Sequence, residues 1–289
     1  MKIKIIGFIV LAFIGLGFKK DKPAYKIFNE KGKGLSYQNM LKSLKDADLL
    51  FFGELHNNPI AHWLQFELTK DLFQVKDGNL MLGAEMFEAD NQMILDEYLK
   101  GYISRAKFED EIRLWNNYKT DYKPILEFAK DSGICFVASN IPRRYASVVF
   151  KEGFEGLEKL SDNAKEFIAP LPINYDPELA CYKNMLKMGG PMGKEANTNF
   201  PKAQAVKDAT MAFFILNNWQ EGKLLFHFNG SYHSDNFQGI VWHVKQQKPD
   251  LKIITITTKL QEKIDKLDEE YLNAANFILV VPESMTTTY

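Results

Sequence analysis

The sequence predicts an α/β fold: a largely parallel sheet flanked by helices, with a small helical lid subdomain. Short apolar runs bounded by Gly, Asn or Pro alternate with longer segments of helical period, a pattern typical of strands joined by helices. The runs show too little polar alternation for one face to be exposed, so we expect helices on both faces of the sheet. With 289 residues, 46% of them hydrophobic, the chain can bury a full core.

Six apolar runs are predicted strands. In chain order they cover residues 48–52, 80–85, 134–139, 223–229, 252–258 and 277–281. Each run is short and bounded by turn-forming residues, as expected of strands that are buried on both faces.

Three of the intervening helices have recognisable starts. Asn58 followed by Pro59 begins one, because Asn caps a helix N-terminus well and Pro fits the first helical position. Asp121 is predicted to cap a second helix that ends at residue 130, and Pro201 begins a third that runs to about residue 221. The expected apolar side of the first helix is formed by Trp63, Leu64, Leu68 and Leu72.

Residues 1–20 are predicted to be a secretory signal segment. Lys2 and Lys4 precede an unbroken apolar run over 5–18, which is too short to cross a bilayer comfortably and fits the apolar region of a signal. We therefore expect an exported protein that is periplasmic or membrane-associated, with any membrane contact made through this segment.

The remaining chain, 21–289, is predicted to be a single domain. Segments 88–117 and 153–200 break the rhythm of strands and helices, and we expect both to be helical insertions above one edge of the sheet. Insertions of this kind often cover a site. The 36 basic and 37 acidic residues give a formal net charge of −1, which offers no electrostatic basis for nucleic-acid binding.

Polar side chains follow four of the predicted strands. In an open parallel sheet the loops beyond the carboxyl ends of the strands converge on one rim, where ligands bind. The first strand leads to the motif Gly53-Glu54-Leu55-His56, and the fourth leads to a second Gly-x-x-His motif, 230–233. The candidate catalytic residues at this rim are Glu54, His56, Glu85, Arg143 and His233, supported by Gly53, Asn140, Gln204, Asp208 and Gly230.

Two chemistries are open for this rim. His56, Glu85 and His233 could bind a divalent metal and leave one coordination position for water. The same groups could act without metal, one histidine serving as general base with a glutamate orienting it. Either histidine could instead be satisfied by a backbone carbonyl, and Glu85 could be solvated or paired with Arg143.

Other polar residues near the rim have two interpretations each. Gln204 and Asp208 are four residues apart on the helix that begins at Pro201, so they share a face. Asp208 could hold a site histidine in one tautomer, or the two residues could form an exposed pair. His62, six residues after His56, is expected in the core or on the surface of its helix.

These motifs, in this order, resemble the ChaN-like family of haem-binding lipoproteins in the wider Tiki and erythromycin-esterase superfamily. The resemblance covers about 48–258. The segments that carry it are Gly53-Glu54-Leu55-His56-Asn57-Asn58-Pro59, Leu82-Gly83-Ala84-Glu85-Met86-Phe87 with Gln92, Asn140-Ile141-Pro142-Arg143, Ala203-Gln204, Lys207-Asp208, Met211-Ala212 and 230–233.

The resemblance implies an exported haem binder with a role in iron or haem uptake, a parallel-sheet core and a small helical subdomain. It also implies a homodimer that holds two haems face to face, each with a tyrosine as axial ligand. No family motif identifies that tyrosine here. The tyrosines in or beside the helical insertions are Tyr98, Tyr102, Tyr118, Tyr122, Tyr175 and Tyr182.

The Tiki branch of the superfamily implies a second function. Its two Gly-x-x-His motifs and a glutamate resemble a metal-dependent protease site, and they match His56, Glu85 and His233 here, with Arg143 as a stabiliser of developing negative charge. This sequence departs from the lipoprotein pattern because no anchoring cysteine lies near the end of the apolar N-terminal run. The sequence therefore suggests a haem-binding protein first and a divalent-metal-dependent hydrolase second.

Overall fold

The computed structural model describes residues 22–187 and 197–289. The predicted signal segment, 1–20, lies outside the described residues and stays a prediction, as does the single-domain organisation of 21–289. Along the described ranges, no helix combines the length and apolar character needed to cross a bilayer.

The described residues form an eight-stranded sheet in the order β2-β1-β8-β7-β3-β6-β4-β5. The strands from β3 to β8 pair in parallel, while β1 pairs antiparallel with both β2 and β8. This confirms the predicted α/β class with a largely parallel sheet. The strands are β1 (Lys26–Asn29), β2 (Gly34–Leu35), β3 (Leu49–Glu54), β4 (Leu80–Glu88), β5 (Phe136–Asn140), β6 (Leu224–Gly230), β7 (Ile253–Gln261) and β8 (Phe277–Pro282).

All six predicted strands are confirmed, with ends that move by up to three residues. Strands β1 and β2 were not predicted, because strands this short carry no apolar run that stands out from a loop. Together they form an antiparallel edge next to β8. Their addition makes the sheet mixed, which is common at the edge of parallel sheets.

Helices cover both faces of the sheet. Of the two long helices, α2 (Pro59–Val75) begins at the predicted proline, and Asn58 caps it by accepting a hydrogen bond from the Ala61 N–H. The other, α10 (Phe200–Asn218), begins one residue before the predicted Pro201 and ends three residues before the predicted end. The helices are α1 (Tyr37–Leu44), α2 (Pro59–Val75), α3 (Gln92–Leu99), α4 (Arg105–Glu111), α5 (Lys123–Ser132), α6 (Arg143–Glu152), α7 (Glu155–Glu158), α8 (Asp162–Lys165), α9 (Ala180–Lys187), α10 (Phe200–Asn218) and α11 (Ile240–Gln247).

Two details of the helix predictions are wrong. Trp63 is 48% exposed, whereas Leu64, Leu68 and Leu72 are buried as expected, because the apolar stripe of α2 is narrower than the sequence suggests. Asp121 does not cap α5. It lies within a π-helical turn, Tyr118–Tyr122, that leads into α5, and its carboxylate accepts a hydrogen bond from Asn117.

Alternating residues of the central strands point to opposite faces of the sheet. Phe52 belongs to the core beneath α2 and α5, while Phe51 packs with the core beneath α10 and α11. The same division separates Leu82 from Met81 on β4. Because both faces of the sheet are covered by apolar cores, a cluster of polar side chains that is open to a ligand is expected where the strands end.

The two interrupting segments hold short helices near the β4 and β5 edge. The first, 88–117, joins β4 to β5 and contains α3 and α4, and the second, 153–200, contains α7, α8 and α9. Their role as a lid stays a prediction.

Candidate functional site

Four neighbouring strands bring the predicted site residues to one rim. The strands β3, β6, β4 and β5 are adjacent in that order, and Glu54 at the end of β3 is in register with Gly230 at the end of β6. Glu85 lies on β4 beyond its regular pairing with β6, and Asn140 ends β5. The parallel order of the sheet therefore collects residues that are far apart in the chain.

Glu54 and His56 form a carboxylate–imidazole pair at the end of β3. The Nδ1 atom of His56 lies 2.9 Å from Oε1 of Glu54, and the histidine side chain is 32% exposed while the glutamate is buried. Burial alone would lower the pKa of His56, but the hydrogen bond to Glu54 and the negative charge of Glu85 raise it above its ordinary value. The pair holds the imidazole with its Nε2 edge available to the rim.

Glu54 is fixed by two further donors. Gln65 on α2 donates to Oε2 at 2.6 Å, and the Tyr122 hydroxyl donates to Oε1 at 2.6 Å. Burial opposes ionisation of this carboxyl, but the neighbouring His62 and the hydrogen bond from His56 outweigh burial and lower the pKa of Glu54. Glu54 is thus a buried carboxylate with its oxygens satisfied.

Glu85 accepts two hydrogen bonds across the rim. The Gly230 N–H donates to Oε2 at 2.8 Å, and Nε2 of His233 lies 3.2 Å from Oε1. Burial would raise the pKa of Glu85, but the positive charge of His233 lowers it far below its ordinary value. The alternatives of solvation or pairing with Arg143 are therefore wrong, since Glu85 is buried and its ionic partner is a histidine.

His233 lies between two carboxylates. Its Nδ1 contacts Oδ1 of Asp208 at 2.5 Å, and its Nε2 contacts Glu85. Burial would lower the pKa of His233, but the charges of Glu85 and Asp208 raise it to about 10. His233 is accordingly an imidazolium that donates from both nitrogens, and Asp208 is a partner of this histidine rather than half of an exposed pair.

Helices α9 and α10 support that histidine. The Tyr182 hydroxyl on α9 donates to Oδ2 of Asp208 at 2.9 Å. Gln204 on α10 places its side-chain nitrogen 3.1 Å from Nδ1 and 3.2 Å from Nε2 of His233. Tyr182 thus fixes Asp208 at the Nδ1 edge of the His233 ring, and the Gln204 amide lies beside the ring.

The glycines of the two Gly-x-x-His motifs allow the motifs to pack against each other. A Cβ atom on Gly53 would lie 2.8 Å from the Cα of Ser231, and one on Gly230 would lie 2.7 Å from Nε2 of His56. Real Cβ contacts are essentially never this short. Each motif thus needs glycine because the other motif occupies the space where a side chain would begin.

The rim surrounds a cavity of about 320 Å³, which is lined by His56, Glu85, Asn140, Gln204 and His233, among others. Trp115 forms one wall and packs its ring edge-on to His56, with centroids 4.8 Å apart. Arg143, at the start of α6, is exposed and lines the mouth. Asn140 donates from Nδ2 to the backbone carbonyl of Glu85 at 3.0 Å.

The five candidate catalytic residues thus lie together. His56, Glu85, Arg143 and His233 line the cavity, and Glu54 lies directly behind His56. Their catalytic roles stay predictions, because proximity alone does not assign chemistry.

The arrangement gives no support to the predicted metal site on His56, Glu85 and His233. Within 22–187 and 197–289, no group of three or more His, Cys, Asp or Glu side chains is arranged to hold a metal ion. Both nitrogens of His233 face carboxylates, so this ring offers no free lone pair to a metal.

Several residues of the site were missed by the sequence analysis. Gln65 and Tyr122 bind Glu54. Trp115 and Lys207 line the cavity. His62 belongs to the polar network around Glu54 rather than to an apolar core, with its Nδ1 3.6 Å from Oε2 of Glu54. One signal was available: His62 and Gln65 are polar residues on the buried side of α2.

The six tyrosines considered as haem ligands divide by exposure. Tyr98, Tyr118, Tyr122 and Tyr182 are buried, and three of them donate their hydroxyl to a carboxylate: Tyr98 to Glu127, Tyr122 to Glu54 and Tyr182 to Asp208. Tyr175 is half-buried. Tyr102, in the turn between α3 and α4, is 76% exposed.

The fold is shared with a solved haem-binding protein. ChaN of Campylobacter jejuni, described with cofacial haem, superposes with a TM-score of 0.65 at 20% identity, over 89% of this chain and 96% of the other. A protein from Bacillus cereus is also similar, with a TM-score of 0.49 at 11% identity over 86% of this chain and 92% of the other.

A curated plant protein and a family model match by sequence. Protein RETICULATA-RELATED 5, chloroplastic, of Arabidopsis thaliana is 24% identical over 203 residues, which is 65% of this chain and 27% of the plant protein. The chain therefore spans about a quarter of that relative's length. The family described as haem-binding uptake, Tiki superfamily, ChaN matches residues 40–244, a range that contains all five candidate residues. On that match, the chain belongs to the ChaN family of haem-binding uptake proteins in the Tiki superfamily.

Proposed function

We propose that this chain is an exported haem-binding protein that acts in iron or haem uptake. The family match over residues 40–244 carries this proposal. The likeness in fold to a protein described with cofacial haem supports it, and a homodimer that pairs two haems is part of the same proposal.

Tyr102 is the tyrosine that fits an axial ligand best. Tyrosinate is one of the side chains that ligate haem iron, and it must reach the metal with a free hydroxyl. Four of the six candidates are buried, and Tyr175 packs its ring against Phe154 and Tyr182. Tyr102 is exposed and makes no hydrogen bond through its hydroxyl within the described residues.

Addition of haem to the purified protein tests the proposal. The Soret band should shift and saturate, and Tyr102→Phe should weaken haem binding by about tenfold or more, since it removes the ligand oxygen. Tyr289→Phe is the matched control, because Tyr289 is similarly exposed, at 61%. The absence of a saturable shift would contradict haem binding, and an unchanged affinity of Tyr102→Phe would contradict the assigned ligand.

Export and dimer formation, the other two parts of the proposal, need separate measurements. Fractionation of cells that express the full chain tests export, which predicts protein outside the cytoplasm and shortened at its N-terminus. Light scattering with and without haem tests the dimer, since two cofacial haems need two copies of the chain.

A hydrolase is the second candidate function, and one observation favours it. Two carboxylate–imidazole pairs, Glu54 with His56 and Asp208 with His233, share one cavity with Glu85 between them. His56 is the candidate general base, because it is partly exposed and is oriented by a buried carboxylate. The His233 imidazolium and Arg143 are candidates to stabilise developing negative charge.

Turnover of a panel of p-nitrophenyl esters tests this second function. His56→Gln should reduce any turnover by about a hundredfold or more, while Lys266→Gln, at an exposed position outside the cavity lining, should leave it unchanged. Turnover abolished by a chelator and restored by a divalent metal would support the metal-dependent form. Turnover that survives a chelator would support general acid–base catalysis without metal.

A further inference from the structure

The cavity of about 320 Å³ has an uneven charge balance. Glu85 and Glu88 are its acidic lining residues, and both already have ionic partners: His233 lies 3.2 Å from Glu85, and Arg113 lies 2.7 Å from Glu88. Each acidic lining residue is therefore already engaged by a basic side chain of the protein.

The basic lining residues at the mouth have no such partners. Arg143 and Lys207 line the cavity, and within the described residues neither makes an ion pair or a side-chain hydrogen bond. The adjacent Arg144, by contrast, forms an ion pair with Asp90 at 2.6 Å. Two cations without an ionic partner among the described residues, in a cavity whose acids are already paired, favour an anionic ligand.

A second, independent observation points to a ligand inside the same cavity. Asn140 is 9% exposed, and its Oδ1 atom is buried without a hydrogen-bond partner, while Nδ2 is used by the backbone carbonyl of Glu85. A buried acceptor without a donor is costly and rare. Asn140 also lines the cavity, so a ligand hydroxyl placed there would supply the missing donor.

We propose that this cavity binds a small hydroxylated oxyanion, such as a sugar phosphate or a hydroxy acid. Arg143 and Lys207 recognise its anionic group, and Oδ1 of Asn140 accepts a hydrogen bond from its hydroxyl. The Trp115 face gives the carbon skeleton an apolar wall. The inference names the ligand class of the cavity considered for hydrolysis, but it does not require turnover and is independent of haem binding at Tyr102.

NMR of the tryptophan indole N–H signals tests the proposal on the full chain. The protein contains four tryptophans, so the Trp115 signal can be assigned with Trp115→Phe. Ribose 5-phosphate should shift that signal and saturate. Inorganic phosphate should bind about fivefold more weakly, and ribose more weakly still, because each lacks one of the two recognised groups.

Two basic variants and two matched controls locate the binding. Arg143→Met and Lys207→Met should each weaken ribose 5-phosphate binding by about tenfold. Arg144→Met, next in sequence but paired with Asp90, and Lys202→Met, on the same helix but outside the cavity lining, should change it by less than about twofold.

Three results would overturn the proposal. The first is a Trp115 signal that does not respond to ribose 5-phosphate or inorganic phosphate, and the second is equal affinity for these two probes. The third is displacement of ribose 5-phosphate by haem, which would assign the anion site to haem propionates. A failed Soret titration with an intact ribose 5-phosphate response would contradict the haem function alone.

Discussion

At the scale of single residues, the site depends on two glycines whose neighbours lie too close to accommodate a Cβ atom. Gly230 has φ −57° and ψ 140°, values that alanine adopts without strain, so its replacement would act only through the contact with His56. This separates a steric requirement from a conformational one.

Gly230→Ala should displace His56 and destabilise the fold by roughly 1–3 kcal/mol, the range for an added methyl in a packed region. Gly34→Ala is the control, because its Cβ would meet only the flexible end of Lys26, at 3.4 Å. Urea unfolding and a crystal structure of the variant measure the two effects. A variant of unchanged stability, with His56 in place, would contradict the steric explanation.

The shifted pKa values of His233 and His227 predict that the free energy of unfolding is greatest near neutral pH. The pKa of His233 is raised to about 10 from 6.5 by its carboxylate partners, so its stabilising proton is lost as pH rises through that window. Burial lowers the pKa of His227 to about 4, so the unfolded chain gains a proton there first as pH falls below 6.5. The free energy of unfolding should therefore decline on both sides of about pH 6.5.

Denaturant unfolding from pH 5 to 9 measures this dependence. Each group contributes a slope of up to about 1.4 kcal/mol per pH unit. His233→Gln should reduce the slope on the alkaline side and leave the acidic side unchanged, whereas His227→Phe should reduce the slope on the acidic side only. His56, whose pKa is also raised, and His243, whose pKa is lowered by burial, contribute the remaining slopes. The assignment fails if either variant keeps both slopes of the parent protein.

At the scale of elements, α10 is the helix that builds the second half of the site. Gln204, Lys207 and Asp208 occupy positions one turn apart, so they reach the same rim. Helix α9 contributes only Tyr182 to this group, through the hydroxyl that donates to Asp208. The orientation of His233 is thus set by α10, supported by α9, on one side and by Glu85 of β4 on the other.

Asp208→Asn should lower the pKa of His233, because it removes one of the two charges that stabilise the imidazolium. Tyr182→Phe should leave that pKa raised, because the charge of Asp208 remains, and should cost about 1 kcal/mol of stability, the value of one hydrogen bond. Tyr175→Phe is the control, since its ring packs on Tyr182 without contact to Asp208. NMR titration of the His233 ring would expose an error if Asp208→Asn left its pKa unchanged.

The elements also show where prediction from the sequence succeeds. Glu54, His56, Glu85 and His233 could be located because each follows a strand whose apolar run is unmistakable, and parallel strands deliver their ends to one rim. Gln65, Tyr122 and Trp115 could not, because their distance from the rim depends on how α2 and the 88–122 segment pack. Asp121 failed as a cap for a local reason: a π-helical turn precedes α5.

At the scale of the whole molecule, the sheet has one edge that the sequence did not reveal. Strand β1 covers β8, whose residues from Phe277 to Val281 are buried. Ile27 and Phe28 of β1 send their side chains to different cores, one on each face of the sheet. The antiparallel hairpin is thus both a packing element and a cover for an apolar strand edge.

Removal of residues 22–35 should therefore expose the edge of β8 and cause self-association, because an unpaired apolar edge strand is a template for pairing with another chain.

Ile27→Ala separates the packing role of the hairpin from its role as an edge cover. This variant should cost about 2–4 kcal/mol through lost packing but leave the backbone pairing of β1 intact. Size-exclusion chromatography over a range of concentrations, with urea unfolding, measures both quantities. If the shortened chain eluted as the parent does at every concentration, the role of the hairpin as a cover for the strand edge would be contradicted, and its contribution would be packing alone.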